Sequence, residues 1–145
     1  MTITKFDKAY LKMAQEWAKL SYCQRKKVGA LIVKDRMIIS DGYNGTPSGF
    51  ENECEDESGN THWYVLHAEA NAILKLAKST QSAEGATLYL TLSPCRECSK
   101  LVLQAGIRRL VYIDDYSDCS GIAFLKDRGV EVLQIPQIQL MSDEI

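Results

Sequence analysis

The chain has 145 residues, of which 46% are hydrophobic and 25% are charged, and this fits one ordinary globular domain with a single core. It contains no apolar run of about 18 or more residues and no charged, apolar leader, so we expect a cytoplasmic protein without a membrane span. Its net charge is −2, whereas proteins that bind long nucleic acids usually carry a positive net charge. The composition therefore favours small substrates.

Cysteine usage favours a reducing compartment. The five cysteines are an odd number, and Cys95 and Cys98 are spaced as a metal-binding pair. A disulfide scaffold is therefore a poor explanation for them.

The first part of the chain predicts a helix followed by a β-hairpin. Apolar residues at helical spacing indicate an amphipathic helix over residues 4–20, and we expect this stripe to pack in the core. Its members are Phe6, Tyr10, Met13, Ala14 and Trp17. Residues 28–33 and 37–40 have the composition of two strands, and Asp35 and Arg36 supply the turn between them.

Two loops flank this hairpin. Arg25, Lys26 and Lys27 precede it, and charge alone leaves open whether they interact with the carbonyl end of the first helix or hold a phosphate. Residues 41–49 follow it with three glycines and a proline, and a loop of this length is more often functional than idle. We expect the acidic segment 50–60 to be mobile.

The rest of the chain alternates helix and strand three times. Helices are predicted over residues 67–78, 94–106 and 122–128, and strands over 87–92, 110–113 and 130–135. Such alternation implies right-handed crossovers and parallel pairing, to which the hairpin adds antiparallel strands. The expected fold is a three-layer α/β domain over residues 1–136, with a five-stranded mixed sheet, helices on both faces and a tail at residues 137–145.

Two of the predicted helix starts carry residues suited to metal chemistry. Cys95 and Cys98 are three apart, so both sulfurs lie on one face of a helix that begins beside Pro94, and the positive end of that helix favours metal-binding thiolates. With the imidazole of His67 they form a three-ligand zinc set that leaves one coordination position open. Zinc can lower the pKa of a bound water to about 7, and Glu69 can then collect the proton and pass it on. We predict a catalytic zinc site.

Two simpler interpretations compete with this one. Cys95 and Cys98 could form a closed structural zinc site or a redox pair, but a closed site needs four protein ligands and no second pair of this kind exists in the sequence. His67 and Glu69 could instead belong to an ordinary helix start. That explanation would account for residues 67–69 if Cys95 and Cys98 were absent from the sequence.

These residues resemble the zinc-dependent cytidine deaminase superfamily, whose signature joins His-x-Glu to Pro-Cys-x-x-Cys. Within it, the chain is most similar to the deoxycytidylate (dCMP) deaminases, over residues 21–135. Three stretches carry the narrower likeness, namely residues 42–49 (GYNGTPSG), 67–73 (HAEANAI) and 91–95 (TLSPC). The resemblance implies a cytidine-deaminase-like fold.

It also implies a reaction and a set of roles. His67, Cys95 and Cys98 would hold one Zn²⁺ per subunit, and Glu69 would shuttle protons while an activated water attacks C4 of cytosine, ammonia leaves and dCMP becomes dUMP, which feeds dTMP synthesis. The implied substrate contacts are Asn44 on the sugar, the backbone of Ala68 and Ser93 on the base, and Arg25 and Tyr116 on the phosphate.

Regulation is left open by the resemblance. Members with feedback control by dCTP or dTTP, bound with Mg²⁺, use a glycine loop that here contains Gly42, Gly45 and Gly49. They often carry an aromatic residue and an arginine where this chain has Lys75 and Lys78.

Two further properties of the family concern metal content and assembly. Some members bind a second, structural zinc, for which Cys23, Cys54 and His62 would form a partial set here. The likeness also implies a homo-oligomer, commonly a hexamer.

Two rival functions stay open at this point. The first is a deaminase that acts on another base carrier, such as free cytidine or deoxycytidine, a nucleoside antibiotic or tRNA adenosine. In such an enzyme the glycine loop and Arg25 would have to serve functions other than binding dCMP. A zinc-stabilised binding or regulatory module without turnover would leave Glu69 no reason to lie beside the metal.

Overall fold

The N-terminal helix α1, Lys5–Ala18, begins where the sequence supplies a capping box. In this computed structural model, which describes residues 2–142, the Thr4 hydroxyl accepts a hydrogen bond from the Asp7 N–H. The Asp7 carboxylate in turn accepts one from the Thr4 N–H. Two of the N–H groups at this end of the chain are thereby satisfied.

The buried face of α1 coincides only in part with the predicted stripe. Its core residues include Leu11 and Ala14 together with Asp7, whereas Met13 is 38% exposed. Asp7 can enter the core because the Arg109 guanidinium donates two hydrogen bonds to its carboxylate, at 2.7 and 2.8 Å. The prediction of the helix was right. Within its predicted inward stripe, Ala14 is buried, Tyr10 packs against the core, Phe6 and Trp17 are half-buried, and Met13 is exposed.

Two antiparallel strands follow, β1 at Gly29–Lys34 and β2 at Met37–Tyr43. The predicted hairpin is present, but β2 continues past residue 40, so the start of the expected glycine loop is strand. Gly42 is required there because a Cβ atom would approach the Ala68 carbonyl oxygen to 2.6 Å. This close contact holds β2 against the helix that begins at Ala68.

The alternation of helix and strand in the rest of the chain is confirmed. These elements are α2 (Ala68–Lys75) with a 3₁₀ turn at Leu76–Lys78, β3 (Thr87–Leu92), α3 (Arg96–Gln104), β4 (Arg109–Asp114), α4 (Ser120–Asp127) and β5 (Glu131–Gln134). The strand order is β2-β1-β3-β4-β5, with β1 antiparallel to both of its neighbours and β3, β4 and β5 parallel. The predicted five-stranded mixed sheet is therefore confirmed.

Each face of the sheet carries its own apolar core. One core packs α2, α3 and α4 on the sheet, and the other packs α1. Part of the predicted tail belongs to the second core, because a short helix α5, Gln137–Leu140, places a fully buried Leu140 there. Residues 143–145 of that tail lie outside the described residues. Between residues 2 and 142 no helix has the length and apolar character needed to cross a membrane.

The acidic segment after β2 forms a hydrogen-bonded loop where we expected a mobile stretch. Glu55 pairs with Thr61 in an isolated β-bridge. The Asp56 carboxylate accepts hydrogen bonds from the N–H groups of Ser58 and Asn60. The loop is thus closed on itself.

A disulfide ties this loop to the stretch before β1. It joins Cys54 to Cys23, so the expectation that disulfides are a poor explanation for the cysteines is wrong for this pair. The free cysteines of the described residues are Cys95, Cys98 and Cys119.

Candidate active site

Both predicted chemical stretches lie at helix starts that face one another. His67 is the N-cap residue of α2 and has an extended backbone. Cys95 is the N-cap residue of α3, and its sulfur accepts a hydrogen bond from the Cys98 N–H. Because α3 follows the end of β3, this arrangement sets the site at the carboxyl end of the parallel strands.

The three predicted metal ligands meet in space. His67 Nδ1 lies 3.6 Å from Cys95 Sγ and 3.3 Å from Cys98 Sγ. A tetrahedral Zn²⁺ with metal–sulfur distances of about 2.3 Å and a metal–nitrogen distance of about 2.0–2.1 Å requires a nitrogen–sulfur separation of about 3.6 Å. The donor set therefore fits Zn²⁺, with Nδ1 as the nitrogen ligand and one coordination position left for water or substrate.

The two thiols differ in their affinity for protons. Hydrogen bonds from the Cys98 thiol and from His67 lower the pKa of Cys95 to about 4, against the effect of burial. The same contact between the sulfurs, together with burial, raises the pKa of Cys98. One sulfur is therefore a thiolate at neutral pH, and metal binding has to displace the proton of the other.

Glu69 lies in the first turn of α2 and is 4% exposed. Burial raises the pKa of this carboxyl to about 7, although a backbone hydrogen bond, the charge of His67 and a hydrogen bond from the Cys98 thiol act in the opposite direction. A carboxyl group of this pKa can accept and release a proton near neutral pH. Its position beside the ligands suits a proton shuttle.

A cavity of about 500 Å³ opens over these groups. All five substrate contacts implied by the resemblance line it; they are Arg25, Asn44, Ala68, Ser93 and Tyr116. Ser93 also accepts a hydrogen bond through Oγ from the Tyr116 N–H at 2.7 Å, which fixes the start of the loop after β4. The structure thus brings two of the three metal ligands, Glu69 and the expected substrate contacts around one space.

Asn44 has a structural duty in addition to any contact with substrate. Its Oδ1 accepts a hydrogen bond from the Val28 N–H at 2.8 Å, and its Nδ2 donates one to the Lys26 carbonyl at 2.7 Å. One amide hydrogen and one lone pair of Oδ1 are then left for a sugar hydroxyl. Asn44 therefore also shapes the chain just after Arg25.

Three of the five residues predicted for regulation contact neighbouring parts of the chain. Lys75 forms an ion pair with Asp41 of β2, and Gly42 permits the contact of β2 with α2. Gly45 exchanges two backbone hydrogen bonds with Leu66. Of the other two, Gly49 has a left-handed backbone conformation, and Lys78 is exposed at the end of the 3₁₀ turn.

The predicted second metal set needs a correction. Cys23 and Cys54 are bonded to each other, and the third donor within 4.8 Å of their sulfurs is Glu55. The ring of His62 instead stacks on Tyr64, with 4.8 Å between the ring centroids. Glu55 and Lys26 also line the cavity. The sequence placed Lys26 among three cations that could hold a phosphate, and it assigned Glu55 no role.

Comparison with known proteins gives a consistent result at the level of sequence. The model of the family described as the cytidine and deoxycytidylate deaminase zinc-binding region matches residues 4–114. The chain is 34% identical, over an alignment of 163 positions, to the deoxycytidylate deaminase of Enterobacteria phage T4. The match covers 83% of this chain and 84% of that protein. It is 39% identical over 126 residues to the deoxycytidylate deaminase of Mycobacterium phage D29, covering 77% of this chain and 97% of that protein.

Solved structures include a similar fold with nucleotides bound. The crystal structure of dCMP deaminase from the cyanophage S-TIM5, in complex with dCMP and dUMP, matches with a TM-score of 0.89 at 45% identity. The match covers 92% of this chain and 99% of that chain. Since the family model also spans His67, Glu69, Cys95 and Cys98, the chain belongs to the cytidine and deoxycytidylate deaminase family.

Proposed function

We propose that this chain catalyses the hydrolytic deamination of dCMP to dUMP and ammonia. The observation that carries the proposal is a single cavity lined by two of the three zinc ligands, the buried Glu69 and the cationic Arg25. Family membership supports the reaction, and the similar S-TIM5 structure with dCMP and dUMP supports the substrate.

The residues of the chain prepare the reaction at the cytosine ring. Bound Zn²⁺ would supply an activated water at the fourth coordination position. Glu69 would take one proton from that water and deliver it to N3, and would then carry the second proton, from the hydroxyl now bonded to C4, to the amino group, which leaves as ammonia. The buried backbone of Ala68 and Ser93 holds the base edge.

The same cavity is suited to a phosphate. Arg25 and Lys26 both line it, and a guanidinium group can bind two phosphate oxygens at once. We assign the 5′-phosphate to Arg25, with Tyr116 beside it. This assignment favours a nucleotide over free cytidine or deoxycytidine, because a nucleoside would leave these cations without a ligand.

Regulation and assembly are further parts of the proposal. In the expected effector site, Lys75 is occupied by its ion pair with Asp41 and Gly42 by the contact of β2 with α2, so we expect dCTP or dTTP with Mg²⁺ to have little effect. Assembly into a homo-oligomer, such as a hexamer, would use apolar surface. Leu74 on α2 is 54% exposed and Leu101 on α3 is 45% exposed, which makes these helices the candidate contact.

Ammonia release from dCMP, CMP, deoxycytidine and dCTP tests the proposal, with zinc content measured on the same samples. We expect about one zinc per chain and a kcat/KM for dCMP at least about tenfold above that of deoxycytidine. Addition of dCTP or dTTP with Mg²⁺ should leave the dCMP saturation curve unchanged. Equal activity on deoxycytidine would indicate a nucleoside deaminase, and a zinc-loaded protein without turnover would indicate a binding module.

A further inference from the structure

The stretch that carries Arg25 has neither helix nor strand of its own. We call residues 21–28, between α1 and β1, the Arg25 segment. Asn44 holds the segment near its ends. The Asn44 side chain is hydrogen-bonded to the backbone of Lys26 and Val28, and its backbone carbonyl accepts a hydrogen bond from the Ser21 hydroxyl at 2.8 Å. None of these three contacts involves Arg25 itself.

At Arg25 the backbone is held by Glu55, from the loop after β2. The Gln24 N–H lies 3.1 and 3.2 Å from the two carboxylate oxygens, and the Arg25 N–H lies 3.2 Å from one of them. The neighbouring residues Cys23 and Cys54 are joined by the disulfide. Two adjacent connections therefore fasten the Arg25 segment to this loop.

We propose that Glu55 is a positioning residue for recognition of the substrate phosphate. It holds the backbone of Gln24 and Arg25, so that the Arg25 guanidinium lines the cavity in a fixed place. The inference rests on the proposed function, because it requires Arg25 to bind a phosphate.

Two effects of Glu55 oppose each other, and their balance can be measured. A carboxylate that lines the cavity repels a phosphate, whereas its hydrogen bonds to the Arg25 segment fix the cation that attracts one. If positioning dominates, removal of the carboxylate weakens phosphate binding. If repulsion dominates, removal strengthens it.

The test is steady-state ammonia release from dCMP and deoxycytidine by Glu55→Ala, Glu55→Gln, Arg25→Ala and the Glu55→Ala/Arg25→Ala double variant. We expect Glu55→Ala to raise KM for dCMP about tenfold, with kcat and the values for deoxycytidine changed by less than about twofold. Glu55→Gln should recover most of the loss, since its amide oxygen still accepts a hydrogen bond. In the Arg25→Ala background the loss of Glu55 should add less than about twofold.

Glu57→Ala is the matched control, because it removes an exposed carboxylate from the same loop. Wild-type zinc content and circular dichroism establish that each variant is folded. An unchanged or lower KM for dCMP in Glu55→Ala overturns the inference, as do equal losses on dCMP and deoxycytidine. If Arg25→Ala harms both substrates equally, the phosphate assignment of the proposed function fails, and the inference fails with it for that separate reason.

Discussion

Glu69 is the residue on which turnover most directly depends. It is buried in the first turn of α2, beside Cys98 and His67, and it lines the cavity. Glu69→Gln preserves the size of the side chain but cannot carry the proton, so we expect unchanged zinc content and a fall in kcat for dCMP of about 10²–10⁴. Ammonia release and metal analysis on the same samples measure both quantities. Turnover within about tenfold of wild type would contradict the role of Glu69.

The zinc ligands and Glu69 could be predicted from sequence because each pair lies within a few residues of chain. A helix start converts the three-residue spacing of Cys95 and Cys98 into a shared face, and His67 and Glu69 lie only two residues apart at the start of α2. Glu55 has no such signal. Its backbone partners are 30 and 31 residues away, and it lies in a run of acidic residues whose members look alike in the sequence.

Among the elements, α1 shows how a distant partner changes the buried face of a helix. Hydrophobic periodicity places a charged side chain toward solvent, so Asp7 was not predicted in the core. Its burial is possible because Arg109, 102 residues further along the chain, pairs with it, and because Tyr89 and the Thr4 N–H donate further hydrogen bonds to its carboxylate. The ends of α3 were easier to predict, since Pro94 precedes it and Gly106, with a φ of 85°, follows it.

The ion pair of Asp7 should make part of the stability dependent on pH. Burial alone would raise the pKa of Asp7, but hydrogen bonds from Arg109, Tyr89 and the Thr4 N–H outweigh it and lower the pKa from 3.8 to about 2. A carboxyl group with a depressed pKa in the folded state stabilises the fold above its unfolded pKa, and this contribution is lost as the pH falls through about 2. The shift corresponds to about 2 kcal/mol.

We therefore expect Asp7→Asn to reduce the free energy of unfolding at pH 7 by at least about 2 kcal/mol, because it also leaves Arg109 without its carboxylate partner. Between about pH 4 and pH 2 the variant should lose less further stability than wild type. Urea denaturation across this range measures both effects. Asp127→Asn, which removes an exposed carboxylate paired with Arg128, is the control. An acid dependence equal to that of wild type would contradict this account of Asp7.

In the molecule as a whole, the site lies at the margin of one apolar core, to which Val28 and Ala68 of the cavity wall also belong. The zinc ligands lie at the starts of α2 and α3, whereas the cores fill the two faces of the sheet. Most of the folding free energy of such a domain comes from buried apolar surface, which does not require a metal. The architecture therefore holds the ligands close together on a scaffold that can form before Zn²⁺ binds.

Metal removal should accordingly separate catalysis from folding. We expect excess 1,10-phenanthroline to lower kcat for dCMP by more than about 100-fold, while the circular dichroism of the sheet and helices is retained at 25 °C with a lower Tm. The non-chelating isomer 1,7-phenanthroline is the control, and added Zn²⁺ should restore turnover. Unfolding on loss of the metal would instead indicate a structural zinc site, because a protein whose folding is coupled to metal binding unfolds when the metal is removed.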